Sequence, residues 1–174
     1  MNRANKISKQ AMIAAMYTVL CVALSPITYG PVQMRVSEAL VLLPIFGAAN
    51  IWGVSVGCFI TNLIGLFTGA NILGALDIVL GTFATFLSAC LTYYLRNVRF
   101  KGLPIASAIP PIIINALVVG YELCIMMSGG FNLSVFALQA FSVAIGQSLS
   151  CLGLGLILVK VIEKNPKLRE IILK

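Results

Sequence analysis

The residues with chemistry to offer stand in an otherwise apolar chain. They are Arg35, Glu38, Asp77 and Glu122, the amides Asn62, Asn115, Gln139 and Gln147, and the phenol of Tyr29. Three carboxylates and one guanidinium leave this set with a net negative charge, which suits a cationic or neutral ligand better than an anion. A carboxylate accepts two parallel hydrogen bonds from a guanine-like N1–H and exocyclic amine. Amide side chains complement the remaining ring positions, and Tyr29, Phe67 or Tyr121 can stack on a flat ring. Arg35 and Glu38 are three apart and share a face if a helix begins near Val36. Asn115 and Glu122 are seven apart, nearly one face of a helix. Interhelical hydrogen bonding explains any single Asn or Gln, but not three acids and an arginine gathered together.

Catalytic chemistry finds little support. There is no Walker A loop, GxSxG elbow or GxGxxG fingerprint, and no nucleophile–base arrangement. The chain has no histidine and no Cys-x-x-Cys, so the commonest zinc constellations are missing. Its five cysteines each sit in an apolar segment, where Cys behaves as a small hydrophobe. No catalytic residue, metal, cofactor or nucleic-acid partner is expected. Any energised step must draw its nucleotide chemistry from another chain.

The elements that position the polar set are membrane helices. Sixty per cent of the 174 residues are hydrophobic and ten per cent are charged, against about a quarter charged in soluble domains. Such composition means an integral membrane protein, and without ten-residue alternation its spans are helices. Lys and Arg cluster at 3–9, 96–101 and 160–174. The positive-inside rule puts all three clusters, and both termini, in the cytoplasm. An even number of crossings must then separate successive clusters. The expected fold is a single all-α membrane domain over 1–174 with six helices, at about 10–25, 38–49, 52–68, 72–96, 104–127 and 133–160. The basic start followed by an apolar run is signal-like, but is read as the first helix.

The second helix is short, and Pro44 interrupts it. Neighbours must shield it, or it borders a cavity. The third carries small residues every four positions, Ala49, Gly53, Gly57, Thr61, Gly65 and Gly69, a ridge for close crossing. Ala11 and Ala15 form a small-xxx-small pair on the first helix. Pro110 and Pro111 are expected to kink the fifth. No repeat of the transporter type is evident. This topology places Glu38, Asp77 and Glu122 in the outer half, lining a polar cavity open to the exterior.

The stretch PITYGPVQMRVSEALVLLPIF within residues 26–48 resembles the first loop and second helix of the QueT family. NILGALDIVLGTFATFLSACLTYYLR and IINALVVGYEL resemble its fourth and fifth helices. The resemblance implies a substrate-binding S component of an energy-coupling factor transporter for a queuosine precursor, a 7-deazaguanine base. It implies a plasma-membrane location and three partners: a transmembrane coupling subunit and two ATPase subunits that use the ATP. In S components an Ala-xxx-Ala motif docks the coupling protein, and Ala11 and Ala15 match it. One departure is Gly146-Gln147, where an acid is expected in a Gly-Glu pair. The alternatives are a stand-alone proton-coupled carrier using Glu122 or Asp77, and an S component for another vitamin-like molecule.

Overall fold

A computed structural model describes residues 3–28 and 34–173 and is all-helical over them. Helix α1 spans Arg3–Ala23 and is followed by the single turn α2, Ser25–Thr28. A 3₁₀ segment, Val36–Phe46, comes next. Then come α3 (Asn50–Thr68), α4 (Ala75–Tyr94) and α5 (Ile105–Ser128). Helix α6 (Leu133–Ser148) continues through a π-helical stretch, Leu149–Gly155, into α7 (Leu156–Lys164), and α8 (Pro166–Leu173) closes the chain. Among the described residues, four helices are long and apolar enough to cross a membrane: α3, α4, α5 and the continuous rod Leu133–Lys164. Large apolar side chains such as Val79 and Phe83 lie exposed on them, as a lipid-facing surface requires.

The 3₁₀ segment is the hub. It touches α1, α3, α4, α5, α7, α8 and the π-helical stretch, and every residue from Ser37 to Phe46 is buried. The sequence expectation of a shielded short helix holds, though the segment covers 36–46 rather than 38–49. Its tighter winding has a use. At about 2.0 Å per residue, eleven residues reach about 22 Å, where an α-helix would reach about 16 Å. The Asn50 amide donates to the Leu43 carbonyl at 3.0 Å and so caps the segment's buried end.

Glycines let α3 approach α1. A Cβ at Gly57 would stand 2.7 Å from Tyr17 Cβ, and one at Gly53 would stand 3.0 Å from Ile13 Cβ. The small-residue ridge works from Gly53 to Gly65, all of it buried. At its ends Ala49 is exposed, and Gly69 caps α3 in the left-handed region at φ 69°. Helix α5 runs on through both prolines. Pro111 has no N–H for the Ser107 carbonyl four residues back. Thr92 Oγ1 donates to that carbonyl at 2.8 Å and joins α4 to α5.

Along the last rod the buried residues Val143, Gln147, Cys151, Gly155 and Val159 repeat every four positions. In an ordinary helix each such step overshoots a full turn by about 40°, so the row would wander off the core. The wider π-helical turn at Leu149–Gly155 absorbs that drift. Arg99 pairs with Glu163 at 2.5 Å, and Lys9 Nζ donates to the Ile172 carbonyl, which ties α8 to α1.

Candidate functional site

Polar side chains converge on the buried 3₁₀ segment from four helices. Glu38, fully buried, accepts from the Tyr17 hydroxyl of α1 with one oxygen and from the Asn115 amide of α5 with the other, at 3.1 Å. Arg35, just before the segment, meets Asp77 at 2.5 Å with both side chains almost fully buried. Asp77 lies in the first turn of α4, where the helix dipole favours a carboxylate. The same Oδ2 accepts from the Asn71 amide at 2.7 Å, and Asn62 of α3 donates to the Asp77 carbonyl at 2.7 Å. The expected meeting of Arg35 with Glu38 gives way to these two separate partnerships, because Arg35 stands outside the helix and turns toward α4.

Glycine makes room for this arrangement. A Cβ at Gly81, one turn beyond Asp77, would collide with Asp77 Oδ1 and lie 3.1 Å from the Asn62 amide nitrogen. Cys58 fills the space beneath, accepting from Thr85 Oγ1 at 3.2 Å and, weakly, from Asn62 at 3.6 Å. Cys21 touches Ser37 Oγ at 2.7 Å.

Glu122 differs from the other two acids. It is 2% exposed, and neither carboxylate oxygen has a hydrogen-bond partner among the described residues. The charges of Asp77 and Arg35 both act on it, so the three acids and the arginine share one electrostatic neighbourhood. Asp77 Oδ1 and Asn62 Oδ1 are likewise buried without partners. All four orphaned atoms here are acceptors. A buried acceptor left empty costs about 1–3 kcal/mol, more for a charged group. The arrangement therefore offers most to a ligand that brings hydrogen-bond donors or a positive charge.

The remaining expected residues fall in several places. Gln147 is buried on the rod's inward row, with Cys151 Sγ 3.7 Å from its Oε1. Gln139 is only half-buried, its Nε2 3.2 Å from Met127 Sδ at the surface. Tyr29 lies outside the described residues. Phe67 and Tyr121 are 81% and 46% exposed. Sequence reasoning missed Tyr17, Asn71 and Gly81. Tyr17 was signalled by the row Ile13, Tyr17, Cys21, and Gly81 by standing four residues after Asp77. Ala11 and Ala15 share the exposed face of α1, beside Met12 and Met16.

The chain is similar to the queuosine precursor transporter QueT of Lactococcus lactis subsp. cremoris (strain MG1363), 37% identical over 93 residues. That alignment covers 52% of this chain and 50% of the relative, so the chain spans about half the length of the curated relative it matches. No solved structure matches it. The QueT transporter family matches residues 7–164, nearly the whole chain. Family and relative are transporters rather than enzymes. A buried polar core inside apolar helices fits that description, and the chain belongs to the QueT transporter family.

Proposed function

We propose that this protein is the substrate-capture S component of an energy-coupling factor importer in the plasma membrane, and that it takes up a queuosine precursor of the 7-deazaguanine class. Membership of the QueT family and the name of the relative support the substrate class. The observation that carries the site is the buried carboxylate of Glu122, which has no hydrogen-bond partner among the described residues. Glu38 and Asp77 already have partners within the fold, so the ligand's cation or paired donors go to Glu122. Asn62 and Asn115 line the remainder, with Gln147 below.

The six crossings are α1, the 3₁₀ segment, α3, α4, α5 and the α6–α7 rod, with both termini in the cytoplasm. The ligand enters from the outside. The exposed Ala11 and Ala15 face is offered to a coupling subunit, whose two ATPase partners drive the cycle. The loaded S component topples to release its ligand inward, and ATP hydrolysis resets it. A second reading uses the same carboxylate differently: Glu122 as the protonatable group of a stand-alone carrier.

The test is ligand binding to the purified protein alone, titrated with 7-aminomethyl-7-deazaguanine, guanine and thiamine. Selective binding of the deazapurine is expected. Glu122→Gln should weaken it by roughly 10- to 100-fold, the worth of a charge-assisted hydrogen bond. Failure to bind any base would overturn the substrate. Uptake into vesicles by this chain alone, driven by a pH gradient, would favour the carrier.

A further inference from the structure

Between α1 and α3 runs a groove of about 460 Å³ lined by Lys6, Ile7, Gln10, Ala11, Ala49, Trp52 and Val56. Its floor is apolar, and no acidic residue lines it. Lys6 is exposed and makes no ion pair among the described residues. Gln10 Nε2 donates to Asn50 Oδ1 at 3.3 Å and its Oε1 is buried without a partner among the described residues, which leaves Lys6 as the groove's one cation and its exposed polar group. Ala49 is the N-cap of α3 and Trp52 lies in its first turn, where the helix dipole adds positive potential at the same end. Lys6 to Ala11 spans about 7 Å of α1, and Ala49 to Val56 about 10 Å of α3, the length of the upper part of one acyl chain. Lysine and tryptophan above an apolar floor are the side chains that settle at the headgroup boundary.

We infer that this groove is a binding site for an anionic phospholipid, its acyl chain along α1 and α3 and its phosphate over Lys6. The inference does not depend on the transported ligand. Charge complementarity chooses the lipid: one cation with no ion pair among the described residues, one helix amino-terminus and no acid in the lining, above an apolar floor. A coupling subunit arriving on the Ala11 face would displace it.

Trp52 is the chain's single tryptophan and lies in the groove, so its fluorescence reports the occupant directly. The purified protein would be placed in mixed phosphatidylcholine and phosphatidylglycerol vesicles, with dibrominated chains on one lipid or the other. Brominated phosphatidylglycerol should quench Trp52 with about fivefold preference over phosphatidylcholine, the scale of one lysine at an anionic surface. Lys6→Gln should bring that preference close to one. Should the variant fold poorly, raising the wild-type sample from about 0.05 M to about 0.5 M salt should shrink it in the same way. Equal quenching by the two lipids would overturn the assignment, as would a preference that survives both Lys6→Gln and high salt. Absence of quenching by either would mean that lipid does not enter the groove, as when a second copy of this chain covers it, and would overturn it too.

Discussion

Removing the Arg35 guanidinium would leave the Asp77 carboxylate buried with only the Asn71 amide on its Oδ2. Breaking a buried pair from one side costs about 3–5 kcal/mol, whereas replacing both partners by apolar groups is often neutral. Arg35→Met should therefore lower the unfolding midpoint in detergent by roughly 10 °C. Arg35→Met with Asp77→Leu should recover most of the loss. Equal loss in single and double variants would show that the two charges do not depend on one another. The charged residues were visible in the sequence, and they do gather. Which acid would lack a partner among the described residues was not legible. The pairs Arg35–Asp77 and Glu38–Asn115 join residues 42 and 77 positions apart, and nothing local announces them. Tyr17 read as one more aromatic in an apolar run.

Helix α3 owes its place to absent side chains. Gly57→Ala puts a methyl 2.7 Å from Tyr17 Cβ and 3.0 Å from the Ala14 carbonyl. Backbone cannot yield as a side-chain tip does, so the substitution should cost about 1–3 kcal/mol. It should also disturb the Tyr17–Glu38 bond, weakening ligand binding along with stability. Gly153→Ala, where nothing lies within 4 Å, is the matched control and should be nearly silent in the same melts. Comparable losses at the two positions would argue against close α1–α3 packing as the cause. The glycine row was legible because its period is fixed by helix geometry. The 3₁₀ winding was not, since apolar residues around Pro44 suit either helix type. The turn Lys101–Gly102, with φ of 50° and 80°, was equally unmarked.

Taken whole, the molecule joins its basic segments in pairs, Arg99 to Glu163 and Lys9 to the Ile172 carbonyl, through contacts that do not involve Glu38, Asp77 or Glu122. If Lys101 and the loop at Gly130 lie on opposite sides, an impermeant maleimide should label Gly130→Cys in intact cells and Lys101→Cys only after permeabilisation. Both positions are surface loops, the first with open space around its Cα. Labelling of both from outside would remove the six-crossing topology, and with it the outward-facing site. The long apolar helices were legible because lipid demands them. The π-helical turn was hidden in a run of Leu, Ser and Gly that would serve equally well as plain α-helix. That turn makes the rod sensitive to counting. Deleting one residue between 149 and 155 would restore ordinary winding and leave the last two turns nearly in phase, whereas inserting one would swing them by about 100°. With that insertion Val159 and Ile162 would leave the core while Val143 and Gln147 kept their places. In this stretch the number of residues constrains the protein more tightly than their identity does.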